Sequence, residues 1–251
     1  MKDPKVVVSL TTHSIRVKNV WKTILSILNG TFKEVKVVLT LYKDDIGLIS
    51  PQVQSLIDNK IVELIIADKD LGPHLKYFYA MQKYRNLPVV TIDDDVIYPV
   101  NMIAELYDYY KKTPNTIIAR RCFLITTTPD GKLKSYHDWL SHFVGFYPTP
   151  THKIFATGIG GILYPPNCLG LSDDNISEIL GIKYDDDFYL KALEVRRNIK
   201  IINICKLWSD LYLKNMTDRE TQSIALWYNK NILDSDKNIA KYYKEFLNAT
   251  K

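Results

Sequence analysis

The chain has 251 residues, 46% of them hydrophobic and 24% charged, a composition that indicates a folded globular protein. At roughly 150 residues per domain, this length predicts one large domain or one domain with a small appendage. The 33 basic and 28 acidic residues leave a formal charge of +5 that is spread along the chain. That distribution argues against a nucleic-acid partner and allows an anionic small molecule.

Neither the basic pairs nor the cysteines indicate a special site. Arg120-Arg121 and Arg196-Arg197 are interpreted as solvated surface. The three cysteines are widely spaced and odd in number, which predicts buried, reduced thiols rather than a zinc knuckle or a disulfide framework. The uncharged run 154–172 is interrupted by glycine and proline and predicts a core strand with a loop rather than a membrane span. We expect no signal peptide before the first strand.

The first hundred residues alternate between short β-branched runs and helical patterns. This alternation predicts an α/β domain with a mainly parallel sheet. Strands are predicted at 5–10, 35–41, 61–67 and 88–92, and helices at 17–28, 51–58, 75–84 and after Pro99.

Past residue 115 the pattern becomes irregular. The Asp130-Gly131 pair predicts a hairpin-type turn. No repeat, low-complexity tract or linker interrupts the chain, so one domain over residues 1–251 is predicted. The other predicted features are a strand at 116–119, an aromatic stretch at 136–151, a glycine-interrupted strand and turn at 155–164, a helix at 185–197, a strand at 200–205 and a largely helical tail from 218.

The most informative segment is 89–99, VVTIDDDVIYP. Its three aspartates follow a buried strand at the carboxyl end, where open α/β sheets bind ligands. Adjacent carboxylates repel one another unless a cation offsets their charge, and Mg²⁺ or Mn²⁺ is typically held by one or two carboxylates plus phosphate oxygens. The pattern therefore favours a metal site. The alternative is an acidic turn, which is our interpretation of Asp44-Asp45.

A second acidic run, Asp185 to Asp187, opens the helix predicted at 185–197. Aspartates at a helix N-terminus commonly cap free amide groups and interact favourably with the helix dipole. One of these carboxylates could instead serve as a catalytic base that faces the metal site. Both interpretations stay open at the level of the sequence.

These motifs resemble the GT-A glycosyltransferases, in particular the family-2-like and exostosin-like members. The similarity covers about 5–205 and consists of a T-T-x-x-x-R loop after the first strand, a strand that ends in D-D-D, a glycine-rich turn and a D-D helix. Its most specific part is D-x-x-L-G-P-x-x-K at 68–76, followed by T-I-D-D-D-V-I-Y-P at 91–99.

The resemblance implies a GT-A fold, a single α/β domain whose Rossmann-like, mainly parallel central sheet is flanked by helices, with a helical C-terminal tail. It implies a nucleotide-sugar-binding half at about 1–115, an acceptor-binding half at about 116–215 and the tail at about 216–251.

The resemblance also implies roles for individual residues. Asp95 is expected to be the main metal ligand, and Asp93, or in some members Asp94, is expected to contact the ribose or the metal. The remaining donor-binding residues implied are Thr11, Thr12 and Arg16 for the base and phosphates, Asp68 near the base, Lys76 for the diphosphate, and Gly160 and Gly161, whose backbone approaches the donor sugar.

Asp187 matches the catalytic acidic position, with Asp186 as its neighbour. In an inverting reaction this carboxylate takes the proton from the acceptor hydroxyl. In a retaining reaction it stabilises the oxocarbenium-like centre instead, and the sequence does not choose between the two.

The chain departs from the family at one position of the metal shell. Many members use a histidine near the C-terminal end of the domain, but all five histidines here lie at or before His152. The third protein ligand is therefore absent, supplied by another residue such as Asn215 or Asp210, or replaced by water. The lone histidines His13 and His74 are interpreted as local hydrogen bonders.

The activity implied is metal-dependent transfer of a hexosyl or N-acetylhexosaminyl group from a nucleotide-diphosphate sugar, with a UDP-sugar expected. The acceptor implied is a saccharide or lipid-linked saccharide in surface polysaccharide or glycoconjugate biosynthesis, in the cytoplasm. Trp139 and Tyr147 are candidate acceptor platforms, with core packing as the alternative for Trp139. The lysine-rich amphipathic tail predicts peripheral membrane contact, with packing on its own domain as the alternative.

Two other classes of protein remain as alternatives. A metal-dependent nucleotidyltransferase also places aspartates at strand ends, but it normally shows an early glycine-rich phosphate loop, and no G-x-x-x-x-G-K-[ST] is present. A non-catalytic carbohydrate-binding protein on the same fold would bind sugar without nucleotide or metal.

Overall fold

A computed structural model describes residues 3–206 and 232–251. The strands are β1 (Val6–Thr11), β2 (Val35–Tyr42), β3 (Val62–Ala67), β4 (Val89–Thr91), β5 (Ile117–Ala119), β6 (Cys122–Leu124), β7 (Phe143–Val144), β8 (Tyr147–Thr151), β9 (Ile154–Ala156), β10 (Ile162–Tyr164) and β11 (Ile201–Asn203). The α-helices of the described ranges are α1 (Val20–Leu28), α2 (Pro51–Asp58), α3 (Phe78–Lys83), α4 (Met102–Lys112), α5 (Tyr136–Leu140), α6 (Ile176–Leu180), α7 (Asp186–Arg196), α8 (Ile232–Lys241) and α9 (Tyr243–Ala249).

Eight strands form the central sheet in the order β3-β2-β1-β4-β10-β5-β11-β8. The first four are parallel neighbours, β10 runs antiparallel between β4 and β5, and β11 is parallel to β5. The predicted α/β fold with a large, mainly parallel sheet is thereby confirmed. Since β1 lies between β2 and β4, the carboxyl ends of β1 and β4 border the position at which open sheets of this order bind ligands.

The core lies on both faces of this sheet. Strand β1 is buried along nearly its whole length, as expected for a central parallel strand that is covered by helices on both sides. Helices α1 and α4 pack on one face, and α3, α7 and the C-terminal helices pack on the other. The cysteines are free, with Cys122 and Cys205 buried and Cys168 half-buried, as predicted.

Two helices predicted as continuous are each divided in the structure. The helix predicted at 17–28 is a 3₁₀ turn at Ser14–Lys18 followed by α1, and that predicted at 75–84 is a 3₁₀ turn at Gly72–Lys76 followed by α3. The division lies in each case at a single residue whose φ departs from the α-helical value, Asn19 at −109° and Tyr77 at −129°. Each 3₁₀ turn carries one basic residue to the carboxyl edge of the sheet.

The described part of the tail forms α8 and α9, which pack against α5 and α7. Its apolar side chains Ile239, Tyr242 and Phe246 are buried in this packing. The apolar face of the tail therefore packs against its own domain, which was the alternative to the predicted membrane contact. Within residues 3–206 and 232–251, none of the helices has the length and apolar character needed to cross a membrane.

Candidate active site

A cavity of about 950 Å³ lies at the carboxyl ends of β1 and β4. Among the described residues that line it are nine aspartates, against three basic side chains, Arg16, Lys76 and Arg121. The chain as a whole carries a formal charge of +5, but this cavity is acidic. An anionic ligand therefore needs a cation beside it in order to bind here.

The middle aspartate of the first cluster, Asp94, fastens the loop after β1 to the end of β4. Its carboxylate accepts hydrogen bonds from Thr12 Oγ1 at 2.5 Å and from Arg16 Nε and Nη2 at 3.1 and 2.5 Å. Its backbone carbonyl accepts from Thr23 Oγ1 at 2.8 Å. Burial raises the pKa of Asp94 above its ordinary value, although the Arg16 guanidinium acts in the opposite direction. Asp94 is thus an anchor that holds the first loop in place.

The flanking carboxylates, Asp93 and Asp95, are the more open members of this cluster. The Asp93 side chain is 28% exposed and the Asp95 side chain 12% exposed. Asp95 Oδ2 lies 2.7 Å from Arg16 Nη2, and Asp93 Oδ1 lies 2.9 Å from Lys76 Nζ. The Asp93 backbone N–H donates to Tyr98 Oη at 2.9 Å, which holds the chain at this point.

Lys76 joins the two aspartate clusters. Its Nζ lies 2.9 Å from Asp93 Oδ1 and 2.9 Å from Asp186 Oδ2, and the residue is 7% exposed. Burial by itself lowers a lysine pKa, but the charges of Asp186, Asp93 and Asp187 outweigh it and hold the pKa of Lys76 well above its ordinary value. Lys76 is therefore a permanent cation between the clusters.

Asp187 has the electrostatic character of a catalytic acid or base. Burial, followed by the negative charge of Asp186, raises the pKa of Asp187 to about 8, and Lys76 opposes that rise. Its Oδ1 accepts a hydrogen bond from the Gly158 N–H at 3.2 Å, and the residue keeps partial exposure at the cavity wall. A carboxyl with a strongly raised pKa in a cleft is a candidate for proton transfer.

Gly158 approaches this network so closely that a side chain would collide with it. A Cβ at this position would lie 2.8 Å from Lys76 Nζ and 3.2 Å from Asp93 Oδ1. The glycine-rich turn expected at 158–161 therefore meets the cavity through Gly158. Gly160 and Gly161 lie outside the cavity lining of the described residues, where Gly160 packs against Arg121 and Gly161, with φ of +83°, packs against Met102.

Most of the other predicted donor-binding residues line the cavity, but Asp68 differs. Thr11, Thr12 and Arg16 are all in the wall. Asp68 is exposed and lies outside the lining that the described residues form, whereas Asp70 is part of it. Asp70 accepts from the Gly72 N–H at 2.9 Å and lies 2.6 Å from Lys183 Nζ. The chain bends at Asp68 and Lys69, directly after β3, and reaches the cavity wall at Asp70.

The prediction that Trp139 forms an acceptor platform is wrong, because its ring is completely buried. It packs against Phe155 and Phe246 with centroid distances of 5.8 and 5.7 Å, so neither face is open to a sugar. Tyr147 is 39% exposed on β8 and lies outside the cavity lining of the described residues. Tyr184, 56% exposed, is the aromatic side chain that the structure places at the cavity rim instead.

The interpretation of Arg120-Arg121 as solvated surface is also wrong. Arg120 is 5% exposed and lies 3.8 Å from Glu105, and Arg121 lines the cavity. Arg121 Nη1 donates to Thr157 Oγ1 at 2.5 Å, and burial lowers the pKa of Arg121. The sequence signal for a role of Arg121 in the cavity was its position directly after the predicted strand 116–119, because β5 and β4 run in the same direction and end at the same edge of the sheet.

His74 is a local hydrogen bonder, as predicted. Its ring is fully buried, Nε2 donates to the Ile182 carbonyl at 3.2 Å, and Nδ1 accepts from Tyr77 Oη at 2.5 Å. Burial lowers the pKa of His74 to about 4, so the ring is neutral. The bond to Ile182 ties the loop after β3 to the segment that precedes α7. His13 lies in the cavity wall.

The donor set in the cavity suits a hard divalent cation. Asp93 and Asp95 offer carboxylate oxygens, the ligand type that Mg²⁺ and Mn²⁺ prefer. Within the described ranges, no three aspartate, glutamate, histidine or cysteine side chains form a ready-made cage. One or two carboxylates plus phosphate oxygens therefore fit the site better than an all-protein shell. The alternative ligands Asn215 and Asp210 lie outside the described residues.

No protein-family model matches the chain, and no curated protein matches it in sequence. It is similar in structure to a mannosyltransferase, PcManGT from Pyrobaculum calidifontis, in complex with GDP-Man and Mn²⁺, with a TM-score of 0.55 and 13% identity over 99% of this chain and 69% of that one. It is also similar to S. aureus TarS 1-349 in complex with UDP, with a TM-score of 0.52 and 13% identity over 95% of this chain and 70% of that one.

A second TarS structure matches with a TM-score of 0.51 and 13% identity, over 96% of this chain and 43% of that one. At this identity the likeness establishes the fold alone. The chain has a GT-A-like glycosyltransferase fold, which confirms the expectation from its motifs.

Proposed function

We propose that the protein is a metal-dependent glycosyltransferase that transfers a sugar from a nucleotide-diphosphate sugar to a saccharide hydroxyl. The observation that carries this proposal is the meeting of two aspartate clusters at Lys76, in one cavity of a GT-A-like fold. The GDP-Man and Mn²⁺ in the mannosyltransferase and the UDP in TarS support a nucleotide donor with a divalent cation.

The donor binds, in this proposal, along the wall that the first loop forms. Thr11 and Thr12 contact the base side of the nucleotide, and Arg16 and Lys76 face its phosphates. We assign the acidic contact near the base to Asp70 rather than to Asp68, because Asp70 lies in the cavity wall. A UDP-sugar remains the expected donor.

Asp95 and Asp93 hold the divalent cation, Mn²⁺ or Mg²⁺, in this proposal. When bound, the ion stabilises the negative charge that develops on the departing diphosphate, without proton transfer. Lys76 adds a fixed positive charge on the same side of the cavity. Arg16 neutralises Asp94 and keeps the metal-binding carboxylates in position through the contact with Asp95.

Asp187 acts as the general base in the proposed reaction. The acceptor oxygen bonds to the anomeric carbon, the bond from that carbon to the diphosphate oxygen breaks, and the acceptor proton passes to Asp187. A pKa of about 8 makes the ionised carboxylate a stronger base than an ordinary aspartate, and its ionised fraction grows as the pH rises towards 8. Asp186 stays ion-paired with Lys76 and keeps the pKa of its neighbour high.

The acceptor saccharide occupies the aromatic part of the cavity, beside Asp187. Tyr184 presents an exposed ring there, and rings of this kind stack on sugar faces. A saccharide or lipid-linked acceptor of surface polysaccharide or glycoconjugate biosynthesis, and transfer of a hexosyl or N-acetylhexosaminyl group in the cytoplasm, remain part of the proposal.

The test is a thermal-shift and turnover screen. We expect the melting temperature to rise with UDP or GDP plus Mn²⁺, because a ligand that binds the folded state alone stabilises it. We expect nucleotide sugars to release free nucleoside diphosphate. Release of pyrophosphate would instead identify a nucleotidyltransferase, and binding of sugar without nucleotide or metal would identify a carbohydrate-binding protein.

A further inference from the structure

The C-terminal helix α8 makes hydrogen bonds to two residues that line the candidate active site and lie far apart in the chain. The Tyr136 backbone N–H donates to Asp236 Oδ1 at 2.8 Å, and Asn238 Nδ2 donates to Asp185 Oδ2. Tyr136 and Asp185 both line the cavity, and both are less than a tenth exposed. One turn of α8 therefore holds two separate parts of the cavity wall.

The Asp185 side chain does not take the role that an aspartate usually has at the start of a helix. An aspartate that immediately precedes a helix normally caps the free N–H groups of the first turn with its carboxylate. Within the described residues, the Asp185 side chain makes no such bond to α7. Its carboxylate points to Asn238 of α8 instead. The N-terminus of α7 is therefore positioned by another helix rather than by its own cap.

Asp187 lies between two residues that the tail holds. On one side is Asp185, bonded to Asn238, and on the other is Phe188, whose ring lies 5.9 Å from that of Phe246 in α9. Phe188 is 2% exposed and Phe246 is completely buried, so this aromatic contact is rigid.

The tail is fixed to α7 and the segment before it by further contacts. Arg196, at the end of α7, lies 2.8 Å from Glu245 Oε1, and its guanidinium lies 5.4 Å from the Tyr242 ring centroid. Lys241 Nζ donates to the Gly181 carbonyl at 3.2 Å. The tail thus contacts both ends of α7. It supports the helix that carries Asp187 rather than forming a separate appendage.

We propose that Asn238 is a positioning residue for catalysis, which holds the first turn of α7 through Asp185 so that the Asp187 carboxylate faces the reacting groups. This inference rests on the proposed function. The donor side of the cavity, with Arg16 and Asp95, is built from other elements, and Lys76, which pairs with Asp186 of α7, also keeps its ion pair with Asp93. Loss of the Asn238 contact therefore affects the chemical step far more than it affects donor binding.

The first test compares Asn238→Ala with Asn248→Ala, the same exchange at an exposed site of α9. We expect Asn238→Ala to lower kcat by about 10- to 100-fold with little change in the KM for the donor, since a misplacement of about 1 Å can cost that much. Asn248→Ala should behave like the wild type. Unchanged kcat in Asn238→Ala, or an equal rise in donor KM, would overturn the inference.

Two further variants distinguish positioning from general support of the fold. Asp185→Asn keeps an oxygen that accepts from Asn238 and should retain most of kcat, whereas Asp185→Ala should lose as much as Asn238→Ala. The Asp185→Ala and Asn238→Ala double variant should be no worse than Asp185→Ala alone, because both substitutions remove the contact between Asn238 and Asp185. Additive losses would contradict the inference.

Amide hydrogen exchange supplies a readout that does not depend on turnover. Exchange at the first hydrogen-bonded amides of α7, beginning with Tyr189, should accelerate in Asn238→Ala and stay at the wild-type rate in Asn248→Ala. Unchanged exchange in Asn238→Ala would overturn the positioning role even if kcat fell. A wild-type chain that turns over no nucleotide sugar while these exchange differences persist would refute the proposed function and leave the structural coupling intact.

Discussion

The two aspartate clusters, 93–95 and 185–187, have the same three-residue sequence but different counter-charges. In the first, Arg16 makes ion pairs of 2.5 and 2.7 Å with Asp94 and Asp95. In the second, Lys76 pairs with Asp186 but is shared with Asp93. Burial and the charge of Asp186 therefore raise the pKa of Asp187 to about 8. Identical residues are thus suited to hold a cation in one place and to accept a proton in the other.

Removal of a carboxylate from the first cluster should have the largest effect. We expect Asp95→Asn to reduce turnover by about 10⁴-fold, because a bound metal contributes several kcal/mol to transition-state stabilisation and each 1.36 kcal/mol is worth about tenfold. The thermal shift with UDP and Mn²⁺ should also disappear. Asp68→Asn, an exposed aspartate outside the described cavity lining, is the control and should keep full turnover. Full activity in Asp95→Asn would remove this residue from the site.

The corresponding change in the second cluster should separate binding from chemistry. We expect Asp187→Asn to lower kcat by about 10³-fold, within the range for loss of a general base, with UDP and Mn²⁺ still bound. The ligand-free variant should melt at a higher temperature than the wild type, because a neutral amide avoids both the burial of the Asp187 charge and its repulsion by Asp186, the two causes that raise the pKa of Asp187. Loss of the thermal shift with UDP and Mn²⁺ would show that Asp187 belongs to the donor site.

Substitution of Lys76 tests whether the two aspartate clusters depend on a shared cation for their stability. We expect Lys76→Met to lower the free energy of unfolding by about 2 kcal/mol, less than for a fully buried pair because the Asp93 side chain is 28% exposed. Mn²⁺ alone should restore part of this loss by supplying positive charge. Lys83→Met, which removes an exposed lysine paired with Glu63, should change the free energy of unfolding by less than about 0.5 kcal/mol. Equal losses in the two variants would contradict the bridging role.

The pH dependence should carry opposite signs for turnover and stability. Turnover should rise with pH as Asp187 ionises, up to about pH 8. Stability of the ligand-free protein should fall between about pH 4 and about pH 8, because the folded state binds one more proton there than the unfolded state, in which the pKa of Asp187 returns to 3.8. Chemical denaturation and kcat profiles check both trends, and Asp187→Asn should flatten the stability trend.

Most of the N-terminal half was predictable because its elements are regular. The β-branched runs and apolar periodicity place β1 to β4 and α2 within a few residues of their observed bounds. The region after residue 115 was less predictable, because several of its strands span only two or three residues and depend on partners distant in sequence. Trp139 and Arg121 illustrate the difficulty, because their burial is decided by helices and turns that pack from elsewhere.

The sequence by itself determined which residues are close to one another along a strand or at its end. It placed Asp93 to Asp95 at a carboxyl strand edge, because strand polarity is a local property, and the resemblance of its motifs to a known family pointed to Asp187 as a candidate base. Only the tertiary structure decided that Lys76 lies between the clusters, that Gly158 closes on them, and that Asn238 holds Asp185. These contacts join residues 17 to 110 positions apart in the chain, and packing of the whole domain, rather than local propensity, brings such residues together.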